Sequence, residues 1–318
     1  MAEFVDAAPP GEDEEEEDFE EVSDEEKVAI ATHFLLSSPP GQIHDVLADV
    51  RNMVPAHLLG DDMLQRVFRK YNRSTYQAVR AGDGGLVIIC DAGKIDDTHF
   101  IDVSGTKVYG VDHVGQTADA DDCRPVDDNE MDASLETQRV SVAKALQGYV
   151  ARQFGGGVDA RQQAIGGECC AAVYAREGTL TAIISADKIN LRNYWAGKWC
   201  STYTIANLLG GAGGATLAGE VKQVVHYFEE GNLQLHNEKK LDPAQALNNS
   251  GGQDVGDVVA EAVCAFEAKM QGALENMYTN MGDETFKEMR RILPVTGSKY
   301  DWSGNAMRMA LNRGTKKN

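Results

Sequence analysis

Lys287, Arg290 and Arg291 stand at i, i+3 and i+4, which on an α-helix gathers three cations on one face. Phe286, Met289, Ile292 and Leu293 fall on the opposite side and can bury it. The chemistry open to such a face is recognition of an acidic surface rather than bond-making. Asp283 suits an N-cap and Pro294 a stop, since the residue before a proline is pushed out of the helical region. Taken alone, an ordinary solvated helix face explains the same pattern.

Charge segregation argues for more. The chain carries a net −20, and residues 1–26 hold fourteen acidic and no basic residues, so the remainder carries −6. Residues 284–318 hold eight basic against three acidic, and residues 27–283 are left near −11. A positive end on an acidic body is a statement about partners, and a pI near 4.7 excludes bulk nucleic-acid binding.

Other groupings that could do chemistry fall short of a motif. The glycines at 210–214 lack the Gly-Lys-Ser/Thr end of a phosphate loop. The aspartates at 119, 121, 122, 127 and 128 lack the glycine and glutamate of a calcium loop. Cys169 and Cys170 are vicinal, with no histidine at zinc-ligand spacing. His226 and His236 sit in strand-like segments and read as structural. No nucleophile with a base, carboxylate pair or cofactor fingerprint emerges, so neither an enzyme, a metal nor a cofactor is expected. The six cysteines show no disulfide framework and suit reduced thiols in a cytoplasmic protein. The N-terminus lacks a signal peptide's basic and apolar regions, and no apolar run approaches a membrane span.

The elements that would position the cations follow from periodicity. Residues 1–21 read as a disordered acidic tail. Ser23 and Glu26 form a capping-box pattern, and amphipathic helices are expected to about 36, over 42–54 and over 62–71, a small antiparallel bundle. Residues 86–90, 98–103 and 106–111 are strand-like, and 112–130 read as an acidic loop. A helix is expected over 134–154, then strands at 169–175, 180–185, 194–205, 221–228 and 233–236 in an antiparallel meander. The fold class is therefore α+β. From about 254 to 280, Val255, Val259, Ala262, Phe266, Met270, Ala273 and Met277 recur every three or four residues, on a helix of roughly 40 Å. Such a stripe would overhang a small sheet and be completed by a partner chain, or else curve over its own bundle. Beyond it, Met307, Ala310 and Leu311 share one side of a short terminal helix suited to a groove.

Five stretches together carry a family resemblance: residues 22–27, Pro39-Pro40-Gly41, residues 193–199, residues 226–235, and above all residues 286–302. On these the chain, over about 22–302, resembles the α subunits of the F-actin capping protein (CapZ) family. The resemblance implies a helical stalk (22–73), a small β region (74–130), a sheet and long helix forming a dimerisation platform (131–282), and a basic actin-binding region with a mobile tail (283–318). It implies a heterodimer with a β subunit that caps filament barbed ends independently of calcium. The implied actin contacts are Lys287, Arg290, Arg291, Lys299, Trp302, Met307 and Leu311. The implied subunit interface is Val255, Val259, Phe266, Met270 and Met277. Acidic phosphoinositides and capping regulators are implied further partners. Gly297 stands where the family commonly has a basic residue. A role in an actin-related minifilament such as that of dynactin is the alternative reading.

Overall fold

The computed structural model describes residues 22–155, 168–208, 214–229, 232–247 and 253–280. Every expectation that falls on residues 1–21, on the glycines at 210–213, or on 281–318, including all seven implied actin contacts, lies outside these.

Three helices open the described chain: α1 (Asp24–Leu36), α2 (Ile43–Met53) and α3 (Asp61–Ser74). The capping box at the start of α1 is complete. Ser23 Oγ accepts from the Glu26 amide at 3.3 Å while Glu26 accepts from the Ser23 amide at 3.0 Å. The helices close on Leu35, Ile43, Leu47, Val50, Leu64, Val67 and Phe68. Pro39-Pro40-Gly41 makes the first joint. Gly41 takes φ +76°, a left-handed conformation that favours glycine, and packs close against Ile189 Cδ1.

Next come two small sheets, β1 (Ala78–Arg80) with β2 (Leu86–Ile88), and β3 (His99–Ile101), β4 (Lys107–Asp112), β5 (Thr117–Pro125). β5 corrects the expectation of a loop over 112–130. Ala118 and Ala120 alternate with aspartates that face water, so a half-buried strand hides inside an acidic run.

The main sheet is a five-stranded antiparallel meander in the order β10-β9-β8-β7-β6, built from β6 (Cys169–Arg176), β7 (Thr179–Asn190), β8 (Trp195–Ala206), β9 (Thr216–Tyr227) and β10 (Leu233–Ala246). β10 runs fourteen residues, far beyond the expected four, because its polar Glu238-Lys239-Lys240 middle obscures the alternation. On one face lie α4 (Glu136–Gln153) and α5 (Val255–Asn280). The other face meets the small sheets and the helical bundle.

The expected overhang of α5 is not what these residues do. Val259, Phe266 and Met270 are buried in the chain's own core, and Val255 and Met277 pack against it partly buried. The reason is α4, which lies beside α5 and widens the apolar bed beneath it. Ala273, placed on the stripe by periodicity, is exposed.

Candidate subunit-docking surface

The uncovered apolar surface lies at the far side of the sheet from α4. Antiparallel register aligns Trp195 with Tyr227 and Tyr227 with Leu233, and two residues on aligns Gly197, Val225 and Leu235. Side chains two apart on a strand share a face, so these rows continue the face that carries Trp199 and the helices. Leu233 is 53% exposed and Tyr227 38%. Between this surface and the C-terminal end of α4 sits a cavity of about 390 Å³, lined by Phe154, Trp195, Trp199 and Val225 with the amides of Gln153 and Gln271. Asp187, Lys188 and Lys198 also border it, so the aromatic walls suit an apolar side chain and the rim a polar one.

Beside these rows β10 is the sheet's edge, with no strand beyond it among the described residues. Glu238, Lys239 and Lys240 are exposed along it. Across a cleft of about 480 Å³, His236, Asn237 and Glu238 face the end of α1 at Leu36, Ser37 and Ser38. Upstream on α1, Ile30 and Phe34 lie one turn apart and are both nearly half exposed. Edge strand, apolar rows and helix stripe make three surfaces that a second chain could use together.

Two buried polar contacts brace this region, the first joining it to the bundle and the second tying β8 to β7. His226, buried, makes a 2.8 Å contact from Nδ1 to Gln42 Nε2 and a 3.1 Å contact from Nε2 to Asn232 Oδ1. Donation from Gln42 to Nδ1 and from Nε2 to Asn232 satisfies a neutral ring, and burial lowers its pKa accordingly. His226 is thus the structural histidine expected. Lys198 Nζ lies 2.6 Å from Asp187 Oδ1, both almost wholly buried, and donates to Ser185 Oγ at 3.0 Å. Burial alone would lower the Lys198 pKa, and Asp187 reverses it. The turn from β7 to β8 brings Tyr194 into the left-handed region at φ +60°, which stacks its ring edge-on against Phe228.

The buried thiols are not poised for chemistry. Burial pushes Cys90 up to about 11 and Cys170 and Cys200 to about 12, so little thiolate forms near neutrality. The acidic clusters are occupied internally: Asp119 takes the Asp121 amide and Asp122 takes His99. Among the described residues no group of three or more His, Cys, Asp or Glu could hold a metal, and no helix is long and apolar enough to cross a membrane.

A sequence model described as F-actin capping protein alpha subunit matches residues 31–312. The chain belongs to the F-actin capping protein α subunit family. It is 30% identical over 287 residues to the F-actin-capping protein subunit alpha of Dictyostelium discoideum, covering 88% of this chain and 94% of that one. The Caenorhabditis elegans capping protein subunit alpha is likewise 30% identical, over 89% of this chain and 95% of its own. Among solved structures, the homodimeric actin capping protein alpha subunit from Plasmodium berghei superposes with a TM-score of 0.67 at 22% identity. That match covers 85% of this chain and 98% of the other, and establishes the capping-protein α fold. Membership in the capping family makes this an actin-capping, actin-binding protein of the cytoskeleton.

Sequence reasoning found the strands that carry the docking rows and placed the interface on α5, where Val259, Phe266 and Met270 are buried in this chain's own core and Val255 and Met277 are partly buried. The line missed was half-buried Trp195 with exposed Tyr227 and Leu233. Its signal was present in the alternation Leu233-Gln234-Leu235 and in a tyrosine two residues from Val225.

Proposed function

We propose that this chain is the α subunit of a two-chain cap on the barbed end of actin filaments, acting in the cytoplasm without calcium and without catalysis. The observation that carries the reading is the open β10 edge beside the Trp195–Tyr227–Leu233 row, on a chain of the capping α family. A β-type subunit would add its own strand there and cover the apolar rows, with main-chain hydrogen bonds supplying affinity and the side-chain rows supplying register. Residues 281–318, which follow α5, would meet actin. Lys287, Arg290, Arg291 and Lys299 would steer the cap to the acidic filament end, with Trp302 beside them. Met307 and Leu311 would dock in an actin groove and set residence time. Acidic phosphoinositides would compete for the same cations.

Reversal of Lys287, Arg290 and Arg291 to glutamate should slow barbed-end association at least tenfold in a pyrene-actin elongation assay and flatten its salt dependence. Unchanged capping by the triple variant would remove the cations from the mechanism.

The solved Plasmodium berghei relative is described as homodimeric, and that favours a second reading in which the β10 edge takes another copy of this chain. Light scattering of the purified chain separates the two: a mass near 34.5 kDa supports the two-chain cap, and twice that value supports self-pairing.

A further inference from the structure

Along the core-facing side of α5 run Val259, Val263, Glu267, Met270 and Leu274, an apolar stripe with a carboxylate at its centre. Glu267 is fully buried. It accepts hydrogen bonds from Tyr149 Oη on α4 at 2.7 Å, from Ser201 Oγ on β8 at 2.6 Å and from Tyr203 Oη on β8 at 2.9 Å. Ser201 Oγ in turn accepts from the Trp199 indole at 2.9 Å. No cation lies within ion-pair distance of Glu267 among the described residues. Burial, then the carboxylate itself, raises the pKa of both tyrosines, which keeps them as donors.

Stability does not account for a carboxylate here. Taking one out of water is costly, and apolar replacement of a buried polar cluster is often neutral or stabilising. What the site supplies is position. Valine, phenylalanine, methionine and leucine along the stripe can exchange places if the helix slides by one turn, about 5.4 Å. Glu267 cannot, because its three donors converge from two other elements. A single polar residue in an apolar seam fixes register in the same way in coiled coils.

The tie also stands at a consequential place. Gln153 to Gln271, at 3.1 Å, is the last hydrogen bond between α4 and α5, and beyond it α5 continues nine residues to Asn280. At the other end, half-buried Ser141 inside α4 and exposed Asp254 bond each other and the amide of buried Gly256, which ties only the first turn of α5, where a helix frays.

We propose that Glu267 is a positioning residue whose hydroxyl cage locks the axial register of α5, and so fixes the point from which residues 281–318 depart. The link to actin rests on the function proposed above; the lock itself does not.

The test uses the full chain assembled with its partner subunit. Spin labels are placed through Lys144→Cys on α4 and Thr279→Cys on α5, with Cys123→Ser, Cys169→Ser and Cys264→Ser removing the less buried thiols. The parent should give one narrow distance. Glu267→Met with Tyr149→Phe and Tyr203→Phe, which strips the cage and leaves Ser201 for Trp199, should keep its thermal midpoint. It should add a second distance population displaced by about 5 Å, and barbed-end association should slow. Ser141→Ala should leave the single distance intact. A narrow, unshifted distance in the triple variant overturns the lock, whatever happens to capping. If the triple variant does not fold, Tyr149→Phe alone is read in the same way, with broadening supporting and an unchanged width refuting. A parent that shows one narrow distance yet never caps would sink the proposed function and leave the lock standing.

Discussion

His99 sits between two carboxylates, with Nδ1 2.9 Å from Asp96 and Nε2 3.1 Å from Asp122. Partial burial pulls its pKa down, but the two carboxylates outweigh it and leave it raised. A raised folded-state value means the stabilisation is full below the ordinary histidine pKa of about 6.5 and fades as pH rises through the folded value. The melting-temperature gap between the parent and His99→Gln should therefore widen near pH 6 and close by about pH 9. Equal gaps at both would rule the pairing out. His113 and His226 are lowered by burial and lose stability as pH falls, but they are common to both proteins and cancel. A larger effect belongs to Lys198. Its replacement by methionine leaves Asp187 buried and unpaired, and should cost about 3–5 kcal/mol in urea unfolding. Replacing both partners with apolar residues should recover most of that loss. How far single residues could be read from sequence depended on where their partners lie. Ser23 and Glu26 are three apart, and their capping box was legible. Glu267 finds its donors 64 to 118 residues away, so nothing near it in the chain marks it.

Among the elements, those with strong periodicity were legible to within a few residues. The three opening helices, α4, α5 and the meander all lie where alternation and amphipathicity predict them. The misses have one cause, which is charge laid over an apolar pattern. Aspartates disguised β5, and Glu238-Lys239-Lys240 cut β10 short on paper. Periodicity also gives a helix's apolar side but not its cover, so α5 looked unsupported until α4 was seen beside it. The docking assignment is tested at this scale. Tyr227→Asp with Leu233→Asp places two charges on the apolar rows and disturbs no buried core residue. Co-purified with the partner subunit, this variant should lose the two-chain species by light scattering while the chain still melts cooperatively. Persistence of the two-chain species would move the interface elsewhere.

For the whole molecule, the net charge of −20 is dominated by an N-terminal segment that lies outside the described residues. Residues 1–21 contain eleven carboxylates and no cation, so their removal leaves −9. On the function proposed above, actin would be approached through the cationic end, and the negative charge of residues 1–21 would oppose that approach over about 10 Å at 0.1 M salt. The truncated chain should therefore associate with barbed ends several-fold faster at low ionic strength and no faster at high. An identical rate across salt would show the segment to be electrostatically silent. The β10 edge has a further consequence, for synthesis rather than for binding. A fourteen-residue strand paired to β9 on one side, with no strand on its other side among the described residues, is a template for stacking chain upon chain, and the charges at 238–240 discourage it. If the two-chain cap proposed above holds, a cell that makes this polypeptide in excess of its companion would accumulate a polymerisation seed, and output of the two genes would have to be matched or the surplus destroyed.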